Sequence, residues 1–229
     1  MKKIGIIGGM SWESTLLYYR IINEFTSQKL GGLNSAKCIL ISVNFTEIKT
    51  LMDHGKWDKI ALIMIDYAQI LERAGADIIL IGTNTVHAIA NKIEKEIGIS
   101  LLHIADATGE AIKDRNIKKI GLLGTRFTME KNFYSDKLSD HGIKTIVPTK
   151  DERDFIDDVI FNQLCIGEIN QSSKKKLLII IENLAQKGAE GIVLGCTELP
   201  LIIEAEDIKI PLFDTTRIHA EAAVNLALV

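Results

Sequence analysis

Short hydrophobic runs recur along the chain, and most of them end at a glycine or a small polar residue. Seven runs span residues 2–9, 37–45, 76–84, 118–125, 142–149, 190–197 and 208–215, and 99–104 is a candidate eighth. Continuous apolar runs rich in β-branched residues are typical of strands covered on both faces of a sheet. The pattern therefore predicts buried strands.

Longer segments with the spacing of helices lie between these runs. They span residues 13–30, 57–74, 85–97, 105–115, 128–141, 151–166, 172–187 and 216–228. Regular alternation of strands and helices predicts an α/β fold with parallel strands and right-handed crossovers. Residues 53–57 read as a loop that leads into a helix, and such a loop near a strand end could act as a lid.

The chain repeats itself at long range. The run at 4–9 resembles 120–125, and the run at 74–85 resembles 187–198, so the two matches have nearly the same offset. We infer two halves of similar plan, in which Thr83 and Cys196 occupy equivalent positions. Each follows the carboxyl end of a predicted strand, where open α/β sheets place their ligands.

Composition and charge narrow the class of protein. The chain has 229 residues, 47% of them hydrophobic, and a formal net charge of −3. It is too apolar for a disordered chain and lacks the basic excess of a nucleic-acid-binding protein. Three cysteines fit a reducing compartment, and no apolar stretch is long enough to span a membrane or serve as a signal peptide. We expect a cytoplasmic protein.

The glycine-rich segment at 5–10 has the spacing G-x-x-G-G, which differs from that of a dinucleotide-binding loop. No acidic residue ends the second predicted strand to hold a ribose. We expect instead that the backbone N–H groups of Met10 and Ser11 approach an anion such as a carboxylate.

The segment GCTE at 195–198 is the sharpest local motif. A cysteine at a strand-to-helix turn meets the positive end of a helix, which lowers the pKa of its thiol and favours the thiolate. Thr197 could hold a carboxylate beside it. The alternative is a buried cysteine that acts as a small hydrophobe, as we expect for Cys38 and Cys165.

Hydroxyl side chains cluster after two other predicted strands, at 83–85 and 125–128. Each cluster could simply cap a helix, but together they suit a small polar pocket for carboxylate and ammonium groups. None of the five histidines pairs with another histidine or with a cysteine at metal-binding spacing, so no metal is expected. His87 and His219 either orient site groups or pack in the core.

Six motifs together resemble the aspartate/glutamate racemase family, and most closely its cofactor-independent aspartate racemases. They are IGIIGGMSWEST, GTNTVH, LHIADAT, LLGTRFTM, GIVLGCTELP and PLFDTTRIHAEAAV. The resemblance implies two pseudo-symmetric α/β domains, each a small parallel sheet flanked by helices, with the active site in the cleft between them. It places the first domain at 1–100 plus 212–229 and the second at 101–211. It also implies a homodimer and no pyridoxal phosphate.

The family's chemistry uses two cysteines on opposite faces of the substrate Cα, one to remove a proton and one to return it. Here the second cysteine matches Cys196, but the first position is Thr83. Thr83 is too weak an acid to be a resting base, although it could pass a proton to a carbanion. The resemblance therefore predicts racemisation of aspartate or glutamate with a bias toward the L-enantiomer as substrate.

The resemblance also suggests which residues bind the acidic amino acid. The α-carboxylate is expected among threonine hydroxyls and turn N–H groups, with Glu198 near the ammonium group. Lys49 and Arg126 are candidates for the distal carboxylate, and the choice between aspartate and glutamate stays open. The matching substrate-binding positions are Met10, Ser11, Asn84, Thr85, Thr125, Thr128, Thr197 and Glu198.

A site with one cysteine leaves other functions open. Decarboxylases and cis–trans isomerases of dicarboxylic acids resemble the same architecture, and the decarboxylases work with a single cysteine. A protein that binds an acidic amino acid without turnover is the alternative from another class, and Thr83 is what motivates it.

Overall fold

The computed structural model describes residues 1–229 and separates into two compact units. The first unit comprises residues 1–104 and 219–229, and the second comprises residues 105–218. Each unit contains a four-stranded parallel sheet flanked by helices, which confirms the predicted α/β class.

The first unit alternates strands and helices from its first residues, and its strands lie in the order β2-β1-β3-β4. β1 occupies an inner position and pairs in parallel with both β2 and β3. The elements are β1 (Ile4–Gly8), α1 (Trp12–Leu30), β2 (Cys38–Ser42), α2 (Phe45–Asp53), α3 (Trp57–Arg73), β3 (Ile78–Ile81), a 3₁₀ turn (Thr85–Ile89), α4 (Ala90–Glu94) and β4 (Ser100–Leu101).

The second unit repeats this topology, with strand order β6-β5-β7-β8. The two internal sequence matches therefore correspond to β1 with β5 and to β3 with β7. The elements are α5 (Ile104–Lys113), β5 (Lys119–Gly124), α6 (Arg126–Glu130), α7 (Asn132–Asp140), β6 (Lys144–Ile146), α8 (Lys150–Asn162), a 3₁₀ turn (Leu164–Ile166), α9 (Gln171–Gln186), β7 (Gly191–Gly195), 3₁₀ turns (Leu199–Leu201 and Ala205–Asp207) and β8 (Leu212–Asp214). The last helix, α10 (Thr215–Leu228), begins in the second unit, and its residues from His219 onward belong to the first unit.

The inner strands are buried because helices cover both faces of each sheet. All five residues of β1 are buried. Ile4 and Ile6 belong to a core with Tyr18 of α1 and Val224 of α10, whereas Ile7 packs in a separate core formed with α2, α3 and α4. The continuous apolar runs in the sequence follow directly from this two-sided cover.

The helices differ from the sequence expectation in four places. The predicted helix at 151–166 ends as α8 at Asn162, and a 3₁₀ turn that contains Cys165 follows it. α2 was not predicted; it has nine residues, of which only Ile48 is buried. The predicted helix at 85–97 is a 3₁₀ turn followed by α4, and the one at 128–141 is interrupted at the extended residue Lys131. None of the helices combines the length and apolar character needed to cross a membrane.

The division into units differs from the predicted domain boundaries at both ends. β4 pairs with β3, so the first unit extends beyond residue 100. β8 pairs with β7, so residues 212–218 belong to the second unit rather than the first. The hydrogen bonds of these short strands decide which unit each strand belongs to. Pairing between strands cannot be read from the residues of one segment alone.

Candidate functional site

Thr83 lies just beyond β3 in a turn that is fixed by its backbone. Its N–H donates to the carbonyl of Ile81 at 2.8 Å, and the N–H of Gly82 donates to Ile7 of the neighbouring strand at 2.8 Å. The side chain is partly exposed, and its hydroxyl makes no hydrogen bond within the protein. The structure therefore presents a hydroxyl at the carboxyl end of an inner strand.

The turn from β1 to α1 places Met10 and Ser11 beside the end of the same sheet, and both residues are buried. Gly9 has a φ of 88°, and a side chain there would collide with the backbone of Val43. The N–H of Gly9 donates to Thr15 Oγ1 at 2.7 Å, and that hydroxyl donates to the Ser11 carbonyl at 2.8 Å. Ser11 also caps α1, because its Oγ accepts from the N–H of Ser14.

Asn84 and Thr85 follow Thr83 and are both buried. The next polar residue, His87, is 2% exposed and donates from Nδ1 to the Thr83 carbonyl at 2.7 Å. Its ring is packed edge-on against His103, with centroids 4.7 Å apart, and lies 5.6 Å from His219. The first unit thus surrounds the Thr83 turn with hydroxyl, amide and imidazole groups.

Cys196 follows β7, as Thr83 follows β3, and is 6% exposed. Its Sγ donates to Oε2 of Glu198 at 3.0 Å, and the Thr197 hydroxyl donates to the same oxygen at 2.8 Å. Thr197 and Glu198 are themselves buried. The thiol, the hydroxyl and the carboxylate therefore form one compact cluster.

The sequence predicted that Cys196 lies at a helix N-terminus as a thiolate, and this prediction is wrong. Only a 3₁₀ turn of three residues, Leu199–Leu201, follows the cysteine, so no extended helix dipole acts on the sulfur. Burial raises the pKa of the Cys196 thiol well above its usual value, and the charge of Glu198 raises it further. The resting thiol is protonated, with a carboxylate oriented to receive its proton.

Thr125 and Thr128 lie after β5, the strand that pairs with β7. Their hydroxyls are 3.1 Å apart, and Oγ1 of Thr125 accepts from the N–H of Thr128, so Thr125 caps α6. Thr125 therefore caps a helix, which was one of the two roles that the sequence left open for this cluster. Both side chains are nonetheless buried at the same sheet edge as Cys196.

The two cations suggested for a distal carboxylate are engaged within the protein. The Arg126 guanidinium lies 3.3 Å from Asp154 and 3.4 Å from Asp157. Lys49 Nζ lies 2.5 Å from Asp53, one turn along α2. A substrate carboxylate would have to compete with these partners.

Sequence reasoning missed the network behind the Thr83 turn. His219 Nε2 lies 2.8 Å from the Leu102 carbonyl, and Nδ1 lies 2.9 Å from the hydroxyl of Tyr18. Since a carbonyl only accepts, Nε2 carries the proton and Tyr18 donates to Nδ1. The residues are up to 201 positions apart, and the only available signal was that the sequence places histidines near strand ends.

Comparisons with known proteins cover nearly the whole chain. Residues 7–223 match the family model described as Asp/Glu/Hydantoin racemase. A broad specificity amino-acid racemase of Bacillus subtilis strain 168 is 25% identical over 230 residues, and the match covers 98% of each chain.

Two crystal structures have the same fold over their full length. A Yersinia pestis protein proposed to be an Asp/Glu racemase is 48% identical, with a TM-score of 0.94 and complete coverage of both chains. An aspartate racemase homologue from Pyrococcus horikoshii OT3 is 36% identical, with a TM-score of 0.88 and the same coverage.

Proposed function

The chain belongs to the Asp/Glu/hydantoin racemase family, and we propose that it racemises aspartate or glutamate without pyridoxal phosphate. Cys196, deprotonated by Glu198, removes the Cα proton of the L-enantiomer, and Thr83 donates its hydroxyl proton to the opposite face of the carbanion. Water then reprotonates the alkoxide of the partly exposed Thr83, and Glu198 returns its proton to water, so that all three groups regain their resting states. Cys196 and Thr83 follow the carboxyl ends of equivalent strands, β7 and β3.

The observation that carries this proposal is the 3.0 Å hydrogen bond from Cys196 Sγ to Glu198 Oε2. A buried thiol with a raised pKa is not a base by itself. The adjacent carboxylate supplies the missing step, because it can accept the thiol proton and leave a thiolate. We therefore assign Glu198 to proton acceptance from Cys196, in addition to its expected place near the substrate ammonium group.

The weak acidity of an alcohol explains the proposed bias toward the L-enantiomer. Thr83 can donate a proton to a strongly basic carbanion, but it cannot remove a Cα proton at neutral pH. Turnover that begins with abstraction by Cys196 is therefore favoured, and turnover of the D-enantiomer is disfavoured.

Substrate binding is assigned to buried groups at the two sheet edges. The side chains of Thr125, Thr128 and Thr197 offer hydroxyls near Cys196, and Asn84 and Thr85 offer an amide and a hydroxyl beside Thr83. Met10 and Ser11 contribute the turn after β1. Preorganised donors of this kind stabilise the charge that develops on the substrate carboxylate during proton removal.

The substrate range is best tested beyond the acidic amino acids. The Bacillus subtilis relative has broad specificity, and Arg126 and Lys49 are ion-paired within the protein. The panel should therefore contain both enantiomers of aspartate and glutamate together with neutral amino acids.

The decisive experiment is exchange of the Cα hydrogen for deuterium in D₂O, followed by NMR, with chiral analysis of the product. We expect exchange and slow formation of the D-enantiomer from L-aspartate or L-glutamate. Cys196→Ala should abolish both, whereas Cys38→Ala, a half-buried thiol in β2, should retain them.

Other outcomes would overturn the proposal. If deuterium exchange persists in Cys196→Ala, Cys196 is not the base that removes the Cα proton. Binding without exchange in the unmodified protein would indicate an amino-acid-binding protein, and release of CO₂ from a dicarboxylic acid would indicate a decarboxylase.

A further inference from the structure

His87 binds the Thr83 turn through two consecutive carbonyl groups. Its Nδ1 donates to the Thr83 carbonyl at 2.7 Å, and its backbone N–H donates to the Asn84 carbonyl at 3.1 Å. His87 thus adds two hydrogen bonds to the backbone ones that hold the segment carrying the Thr83 hydroxyl. The hydroxyl itself makes no hydrogen bond within the protein.

The second nitrogen of the His87 ring differs from the first in its hydrogen bonding. Since the Thr83 carbonyl only accepts, Nδ1 carries the proton, and Nε2 of the neutral ring is a bare acceptor. Burial holds the pKa of His87 well below its usual value, with the neighbouring His103 adding to the effect. Nε2 is buried and has no hydrogen-bond partner.

The second unit shows that this turn does not need a histidine. With the offset that aligns Thr83 with Cys196, the position of His87 corresponds to Pro200. Proline has no backbone N–H and no side-chain donor. There, the N–H of Leu199 donates to the Cys196 carbonyl at 3.3 Å instead. The hydrogen bond from an imidazole to the carbonyl of the catalytic position is therefore found only in the unit that carries Thr83.

Resting on the proposed function, we infer that His87 is a positioning residue that holds Thr83 where its hydroxyl can protonate the carbanion. A hydroxyl oxygen is smaller than a thiol sulfur, so its proton transfer demands closer placement. A displacement of about 1 Å at a reacting group can cost about 100-fold in rate.

The test separates the two halves of the reaction. In His87→Phe, racemisation of L-aspartate or L-glutamate should fall about 100-fold, because Thr83 is no longer held in place. Deuterium exchange at Cα of the same L-enantiomer should stay near the wild-type rate, because Cys196 removes and returns the proton on its own face. A structural role would lower both rates together.

Two amide variants sharpen the comparison. An asparagine amide can place its N–H near the position of Nδ1, so His87→Asn should restore most of the racemisation. His87→Gln extends the amide by one methylene toward the position of Nε2 and should not. His219→Phe is the matched control, since it removes another imidazole of the same cluster without touching the Thr83 carbonyl, and its ratio of exchange to racemisation should be unchanged.

Each outcome decides the inference. If His87→Phe and His87→Gln lose exchange and racemisation in parallel, the inference is overturned. It is also overturned if none of the His87 variants folds, because the imidazole would then have a structural role. If His87→Phe alone fails to fold, the contrast between the asparagine and glutamine variants carries the test. An unmodified protein that shows neither exchange nor racemisation would refute the proposed function, and the role of His87 with it.

Discussion

At the scale of single residues, Thr83 carries a hydroxyl and a methyl group on its Cβ, whereas Cys196 carries a thiol. Thr83→Cys is expected to raise turnover of the D-enantiomer by about 100-fold or more, because a thiol can supply the base that an alcohol cannot. Chiral analysis of reactions started from each D-amino acid measures this. Thr85→Cys places a thiol two residues away and should give no such gain. Failure of Thr83→Cys to help would exclude Thr83 as the partner of Cys196.

Glu198 affects the neighbouring thiol in two opposing ways. Its charge raises the pKa of Cys196, but its oxygen accepts the hydrogen bond of the thiol and is the proposed acceptor of the thiol proton. Glu198→Gln should therefore lower the pKa of Cys196, measured from the pH dependence of alkylation, and still reduce racemisation by about 100-fold. The exposed Glu206→Gln should change neither quantity. A variant with a lower thiol pKa and full activity would show that the carboxylate is not the proton acceptor.

At the scale of elements, the two halves differ in how tightly their strand ends pack. Gly82 and Gly195 occupy equivalent positions, and neither has a positive φ. A Cβ on Gly82 would meet its nearest atom, the Ile7 carbonyl oxygen, at 3.4 Å, which is tolerable. A Cβ on Gly195 would lie 2.8 Å from Leu122 and 2.9 Å from the carbonyl oxygen of Leu123, so β5 and β7 would have to separate.

This asymmetry predicts different stabilities for two matched variants. Gly195→Ala should lower the free energy of unfolding by about 1–3 kcal/mol through overpacking, whereas Gly82→Ala should be nearly neutral. Thermal and urea unfolding of the two variants measure the difference. Equal losses would mean that β5 and β7 accommodate the methyl group as easily as β1 and β3.

At the scale of the whole molecule, buried neutral histidines make stability depend on pH. Burial, with a smaller contribution from His87, lowers the pKa of His219 to about 3 in the folded protein, whereas an unfolded histidine has a pKa near 6.5. Between these values only the unfolded chain binds the proton. The contribution of His219 to stability is therefore complete above about pH 6.5 and is lost as the pH falls toward 3.

The expected loss for His219 alone is about 2 kcal/mol between pH 6.5 and 5, and urea unfolding at a series of pH values measures it. His219→Leu should be less stable at pH 7 but show a shallower decline. His54→Leu, at the exposed end of α2, should keep the full slope. An unchanged slope in His219→Leu would contradict the assignment of a neutral, buried ring.

The hydrophobic pattern predicted most of the fold because periodicity and β-branched runs are local properties. All eight strands appear where the sequence suggested them, and the repeat at 74–85 and 187–198 corresponds to β3 and β7. α2 was not predicted because its nine residues begin at Phe45, at the end of the run assigned to a strand, and end at Asp53, where a loop was expected. The domain boundary predicted at residue 212 differs from the structure because strand pairing joins segments that are distant in the sequence. The homodimer, the cytoplasmic location and the roles of the site residues stay predictions.

By itself, the sequence determined the alternating fold, the internal repeat and the identity of the two residues that end equivalent strands. Only the tertiary structure decided the chemical state of those residues. It surrounds Cys196 with apolar groups and Glu198, which reverses the expected shift of its pKa, and it brings His87 to the Thr83 carbonyl within a cluster completed by His219. The physical reason is that desolvation and hydrogen bonding depend on what surrounds a group in space.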